Sequence, residues 1–136
     1  MTRMLAATML FLGLVLQAWS GLEASSDKVK EATERAARDY LQHGLIQASE
    51  GHEAAAEKSF REAIKLKPQW AEAYSLLGSA LARAGKYAEA EEALRKAVSL
   101  KPDYGEGYYY LGLFLEERGK AAEAQEAFRK AKQYQK

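Results

Sequence analysis

The chain contains no cysteine and only two prolines among its 136 residues. Without cysteine it can form neither a disulfide nor a thiolate metal site, and it offers no thiol for lipid attachment near its start. An excess of one charge sign is also missing, because 20 Lys and Arg face 19 Asp and Glu. Binding to nucleic acid relies on a clear excess of Lys and Arg, so this balance argues against a nucleic-acid partner.

Residues that support catalysis or metal binding are scarce. The two histidines, His43 and His52, do not share the spacing of three or four residues that places two metal ligands on one helix face. No glycine-rich phosphate loop and no nucleophile elbow occurs in the sequence. We therefore expect a non-enzymatic protein with no cofactor and no metal site.

The first twenty residues differ in composition from the rest. Arg3 precedes an apolar run from Met4 to Leu16, and the small residues Ala18 and Ser20 follow it. This pattern is typical of a secretory signal peptide cleaved after Ser20. Alternatives are an uncleaved membrane anchor over residues 4–19, although a membrane span needs about 20 apolar residues, and a buried helix of the fold. Either of the first two interpretations predicts that the rest of the chain is secreted, periplasmic or anchored at the membrane, outside the cytoplasm.

Residues 21–36 separate this segment from the remainder of the chain. The stretch from Gly21 to Ser26 is short and polar, which predicts a linker. Apolar residues at helical spacing after Ser26 predict an N-terminal helical extension that continues towards Glu50.

From residue 37 onward the sequence repeats every 34 residues. Tyrosine, two glycines and an alanine recur at this interval: Tyr40, Tyr74 and Tyr108; Gly44, Gly78 and Gly112; Gly51, Gly85 and Gly119; Ala56, Ala90 and Ala124. A fixed period of this length indicates one supersecondary unit repeated in tandem.

Each period contains two helical patterns. In the second period Leu77, Ala80 and Leu81 lie on one helix face, and Gly85 interrupts the pattern. A second face follows and ends before Pro102. Two antiparallel helices of about fourteen residues cannot bury their own apolar faces, so neighbouring pairs must stack.

These positions resemble the tetratricopeptide repeat family over residues 37–136. The second period matches best, with Tyr74, the Leu77-Gly78 pair, Ala90 and Pro102 at the positions of the family pattern. The first period is looser, because His43 and Gln47 replace aliphatic residues. The resemblance implies an all-α solenoid of three tandem helix–turn–helix repeats, coiled into a right-handed superhelix. The domain division is then 1–20, 21–36 and 37–136.

The resemblance also implies where a partner would bind. The first helix of each repeat would line a concave groove, with these residues facing it: Arg38, Leu41 and Leu45; Glu72, Ser75, Ser79 and Arg83; Glu106, Tyr109, Leu113 and Glu116. Family members that hold chaperone C-termini use Lys and Asn at such positions. Here Leu41, Leu45, Ser75 and Ser79 stand there instead, so we expect an extended peptide or a helix with apolar anchors.

Three further expectations concern the third repeat and the assembly. In the Tyr108-Tyr109-Tyr110 run, the roughly 100° step of a helix predicts Tyr108 in the core, Tyr109 in the groove and Tyr110 against a neighbouring helix. Phe128, Ala131 and Tyr134 lie at the terminal edge and are candidates for self-association. Alternatives to a soluble adaptor are a membrane-tethered structural subunit of an envelope assembly and a fragment of a longer array.

Overall fold

The computed structural model describes the backbone of residues 2–135 and the side chains of residues 12–135, and it divides the chain into two units, Met1–Arg35 and Ala36–Lys136. Within residues 2–135 the secondary structure is helical, with no strand. Arg3 and the first part of the apolar run, residues 4–11, lie outside the described side chains.

The first helix, α1, runs Thr2–Ser49 and includes all of the described part of the first unit. Residues 21–26, for which composition predicts a polar linker, are helical. The segment has no proline, and the Trp19 indole Nε1 donates to Glu23 Oε1 at 2.7 Å across one helical turn. Gly21 is the residue of lowest helix propensity in this segment, and a single glycine does not end the helix, so α1 continues through residues 21–26.

The described part of the first unit carries large apolar side chains on its surface. Leu12, Leu16, Trp19 and Leu22 are each more than half exposed. Among the described residues, no helix combines the length and apolar character needed to cross a lipid bilayer.

The second unit consists of three helical hairpins. The end of α1 pairs with α2 (Glu53–Leu66), α3 (Ala71–Arg83) pairs with α4 (Tyr87–Leu100), and α5 (Gly105–Glu117) pairs with α6 (Ala121–Gln133). Neighbouring hairpins also pack together, since α3 contacts both α2 and α5, and α4 contacts α5. We call α1, α3 and α5 the odd helices and α2, α4 and α6 the even helices.

Each hairpin turns at a glycine. Gly51, Gly85 and Gly119 have φ of 79°, 80° and 75°, a left-handed conformation that favours glycine. At the second turn the Gly85 amide donates to Ala82 O at 3.0 Å, and the Lys86 amide donates to Leu81 O at 2.9 Å. This bond pair satisfies the last carbonyls of the helix and reverses the chain within two residues.

A second glycine series lets the two helices of a hairpin approach each other. A Cβ on Gly78 would lie 2.6 Å from Leu94 Cγ and 3.1 Å from the Ala90 carbonyl oxygen. Gly44 and Gly112 face Phe60 and Phe128 in the same way. In all three hairpins the side chain nearest the glycine is the large apolar one, and at Gly78 the carbonyl oxygen of the small Ala90 also borders the contact.

The core continues from one hairpin to the next. Leu77, Leu81, Leu111 and Leu115 are buried between the hairpins with Phe60, Leu94 and Phe114. The corresponding positions of the first repeat are polar, since Ser59 Oγ donates to Gln47 Oε1 at 2.7 Å, and His43 lies beside them. The aromatic position follows the same trend, with Tyr108 buried and Tyr40 exposed. The first repeat therefore has polar side chains at positions where the later repeats have apolar ones.

Ion pairs join successive even helices. At the first junction Arg61 Nη2 lies 2.8 Å from Glu89 Oε2, and Lys86 Nζ lies 2.9 Å from Glu57 Oε2. The same set recurs 34 residues later, formed by Arg95 with Glu123 and by Lys120 with Glu91. We call these four cross-hairpin pairs the ion-pair ladder.

Candidate functional site

The odd helices carry all of the residues predicted to face a groove. Six of them are exposed: Arg38, Glu72, Arg83, Glu106, Tyr109 and Glu116. Three more, Leu45, Ser79 and Leu113, are partly buried and retain accessible surface. These nine side chains are available to a partner.

The other two predicted groove residues are buried. Leu41 is 8% exposed and belongs to the hydrophobic core, and Ser75 is 0% exposed. Their equivalent in the third repeat, Tyr109, is 49% exposed. The helix α3 is covered by α5 of the following hairpin, whereas no described helix follows α6 and covers α5 in the same way. The side chains of Leu41 and Ser75 therefore pack inside the domain and are not accessible to a ligand.

The first cavity beside the odd helices lies between α3 and α5. It has a volume of about 240 Å³. Its lining includes three predicted residues and several others: Ser79, Ala82, Arg83, Leu94, Tyr110, Leu113, Phe114 and Glu117. We call it the α3–α5 cavity.

The second cavity lies between α5 and α6. Its volume is about 260 Å³, and Glu106, Tyr109, Tyr110, Ala131 and Gln135 line it together with Gly105. We call it the α5–α6 cavity. Tyr110 borders both cavities.

The three consecutive tyrosines take different positions. Tyr108 is buried and stacks on Tyr134, with ring centroids 5.9 Å apart. The exposed Tyr109 ring lies 6.0 Å from Tyr110 and 6.0 Å from Phe128. The burial of Tyr108 and the exposure of Tyr109 agree with the helical step. The position of Tyr110 at the border of two cavities was missed, because the sequence indicates a packing role but not the space beside it.

The terminal edge is largely covered by the chain itself. Ala131 is buried, and Phe128 and Tyr134 are partly buried against Gly112 and Tyr108. The apolar surface expected there for self-association is therefore small. Most of the apolar surface of Phe128, Ala131 and Tyr134 is buried within the third hairpin.

Charges around the two cavities differ in how they are compensated. Arg83 Nε lies 2.8 Å from Glu53 Oε1, so this groove cation already has a partner in the first hairpin. Within residues 12–135, Glu72, Glu106, Glu116 and Glu117 form no ion pair. Burial, and then the nearby carboxylates of Glu106 and Glu72, raise the pKa of Tyr104 well above its usual range. The phenol therefore stays protonated and lies in an acidic environment.

Two larger cavities lie between successive even helices. Their volumes are about 520 and 620 Å³, and most of their lining residues correspond at the 34-residue period. Both are rimmed by ladder residues, Arg61 with Glu89 and Arg95 with Glu123. The ladder charges at both rims are paired across the junctions, and the first of these cavities is also lined by Glu92, which forms no ion pair within residues 12–135.

No group of three or more His, Cys, Asp or Glu within the described residues is arranged to hold a metal ion. His43 Nδ1 lies 3.5 Å from Ser59 Oγ, and His52 Nδ1 lies 3.3 Å from Glu50 Oε2.

Solved structures with the same fold are numerous. The crystal structure of MamA is 31% identical, covers 74% of this chain and superposes with a TM-score of 0.66. This chain spans 59% of the MamA chain. The Arabidopsis OM64 TPR domain is 22% identical over 76% of this chain and 85% of its own, with a TM-score of 0.71. The second TPR of Spaghetti (RPAP3), bound to the HSP90 peptide SRMEEVD, is 20% identical over 79% of this chain and 99% of its own, with a TM-score of 0.72.

Among curated proteins no significant match to this sequence exists. Tetratricopeptide repeat profiles match residues 37–69, 71–104 and 93–126, which together extend from the end of α1 into α6. The profile matches and the six-helix architecture agree with the 34-residue period, and the chain belongs to the tetratricopeptide repeat family.

Proposed function

We propose that this chain is an interaction module that binds a segment of another protein across α5, with one part of the segment in the α3–α5 cavity and another in the α5–α6 cavity. Tetratricopeptide repeats are scaffolds for protein interaction, and the peptide bound by the second TPR of Spaghetti supports the same role for this fold. The observation that carries the proposal is the pair of cavities bordered by Tyr110.

The exposed side chains fit this role. Tyr109 offers a large ring with a polar tip, and Leu113 contributes apolar area at the base of the α3–α5 cavity. A bound segment would contact both residues, because they lie one helical turn apart on α5.

Binding can be measured with peptides selected from a random twelve-residue library displayed on phage. We expect the selected peptides to bind the double variant Tyr109→Ala/Leu113→Ala at least about tenfold more weakly, since truncating central anchors costs more than about 1 kcal/mol. Tyr40→Ala/Leu66→Ala removes the same residue types at exposed positions away from both cavities and is the matched control. Equal affinity for the first variant and the wild type would refute the proposed site.

We also propose that the protein acts outside the cytoplasm, with residues 1–20 as an export signal, in the envelope or the medium of a bacterium. The exposed apolar side chains from Leu12 to Leu22 support this proposal, because a free helix with that surface needs a membrane or an export apparatus as its partner. Mass spectrometry of the mature protein tests it. A first residue of Gly21 supports release, and an intact Met1 supports the membrane-tethered structural subunit instead.

A further inference from the structure

The carboxylates of the second unit fall into two groups. On the even helices most of them are in ion pairs: Glu53, Glu57, Glu62, Glu89, Glu91, Glu123 and Glu126. Glu92 is the exception on these helices. On the odd helices Glu72, Glu106, Glu116 and Glu117 carry no ion-pair partner within residues 12–135.

The helix α5 concentrates this uncompensated charge. It contains Glu106, Glu116 and Glu117 and no Lys or Arg. Glu116 and Glu117 lie in its last turn, where the helix dipole disfavours negative charge. A lysine or arginine there would stabilise the isolated helix, so the two carboxylates do not serve helix stability.

The unpaired carboxylates are placed beside apolar surface. Glu117 lines the α3–α5 cavity with Leu113 and Phe114, and Glu106 lines the α5–α6 cavity with Tyr109. Glu72 lies on the neighbouring helix α3, and burial, followed by the Glu106 and Glu72 carboxylates, raises the pKa of the Tyr104 phenol. Each cavity thus combines an apolar lining with a carboxylate at its border.

We infer that the partner segment is cationic and amphipathic, with apolar side chains in the two cavities and Lys or Arg side chains paired with Glu72, Glu106, Glu116 and Glu117. The inference rests on the proposed function and adds the charge of the ligand to it. The selectivity is opposite to that needed for the acidic peptide SRMEEVD bound by Spaghetti, whose carboxylates would meet like charge here.

The phage-displayed library tests the sign of the charge directly. We expect the selected peptides to carry more Lys and Arg than the unselected library, next to apolar residues. Binding of a fluorescein-labelled selected peptide, measured by anisotropy, should weaken as NaCl rises from about 0.05 to about 0.5 M, because the pairs are solvent-exposed.

Two protein variants locate the charge. Glu116→Gln/Glu117→Gln removes two unpaired carboxylates from α5, and we expect it to bind the cationic peptide roughly three- to tenfold more weakly, with a smaller salt dependence. Glu92→Gln/Glu126→Gln removes the same charge from the even helices and should bind like the wild type. Thermal unfolding of both variants checks that the fold is retained, and the α5 variant should be no less stable than the wild type.

The outcomes separate this inference from the proposed function. Selected peptides that depend on Tyr109 and Leu113 but carry no excess of Lys and Arg would overturn the inference and leave the proposed function standing. An equal loss of affinity in the two glutamine variants would overturn it as well. Peptides whose binding does not depend on Tyr109 and Leu113 would refute the proposed function itself.

Discussion

The contact between Gly78 and Leu94 allows a quantitative test of how a hairpin is held together. A Cβ at position 78 would lie 2.6 Å from Leu94 Cγ, 2.9 Å from Leu94 Cδ2 and 3.1 Å from Ala90 O. The first atom is a branch point of the side chain and the last is backbone, so neither moves aside easily. Leu94 is also among the most buried side chains of the molecule.

Two opposing terms set the effect of Gly78→Ala. Replacing glycine by alanine inside a helix stabilises it by about 1 kcal/mol. Forcing a methyl group into a packed contact costs about 1–3 kcal/mol. Because the shortest distance is well below van der Waals contact, we expect the packing cost to exceed the helix gain, with a net destabilisation of about 1 kcal/mol. For a domain of this size that lowers Tm by about 4–8 °C.

A double-mutant cycle isolates the cause. In a Leu94→Ala background the two nearest atoms, Leu94 Cγ and Cδ2, are gone and only Ala90 O at 3.1 Å remains, so Gly78→Ala should be close to neutral or stabilising by less than about 1 kcal/mol. Thermal and urea unfolding of the four proteins, followed by circular dichroism, give the coupling energy. If Gly78→Ala raises Tm in the wild-type background, Leu94 yields at little cost and the close-approach argument is wrong.

Two other predictions concern the turns and the ion-pair ladder. Gly85→Ala should destabilise by about 1 kcal/mol although nothing lies within 4 Å of the added methyl, because φ of 80° is unfavourable for alanine, and unchanged urea unfolding would contradict this. Hydrogen bonds from Lys86 lower the pKa of Glu57, and bonds from Lys120 and Arg95 lower the pKa of Glu91. Their stabilisation is therefore complete above the ordinary glutamate pKa of 4.5 and is lost as pH falls through the lowered values. We expect Glu57→Gln/Glu91→Gln to lower the free energy of unfolding by at most about 1 kcal/mol per residue at pH 7. Below about pH 5 the stability of this variant should decline less steeply than that of the wild type. A decline parallel to the wild type would contradict the assignment.

The fold could be predicted from sequence because the repeat imposes the same constraint three times. Gly44, Gly78 and Gly112 recur at one position, and each meets a large apolar residue of its partner helix. The polar substitutions His43 and Gln47 in the first repeat were visible in the sequence as departures from the period. Only the structure shows that both side chains lie beside the buried Ser59 hydroxyl, which donates a hydrogen bond to Gln47.

The site could be predicted only in part, because accessibility depends on what the next hairpin covers. Leu41, Ser75 and Tyr109 occupy equivalent positions, yet two are buried and one is half exposed. Helical periodicity predicts that all three side chains point in the same direction, and it does not account for burial by a neighbouring helix. The segment 21–26, predicted as a polar linker, is helical, since polar composition alone does not interrupt a helix.

The distribution of charge separates the surface that holds the array together from the surface that is available to a partner. Ladder residues are charged where two hairpins meet. At the equivalent positions outside these junctions the residues are uncharged: Ala55 corresponds to Glu89, and Gln125 corresponds to Glu91. Charge on the even helices is thus matched to the junctions, and the carboxylates of α5 form no ion pair within residues 12–135. Substitutions in the ladder should therefore change stability with little effect on binding, and substitutions of Glu116 or Glu117 should do the reverse. Since the two sets lie on different helices, combining one of each should give additive effects on unfolding and on peptide affinity.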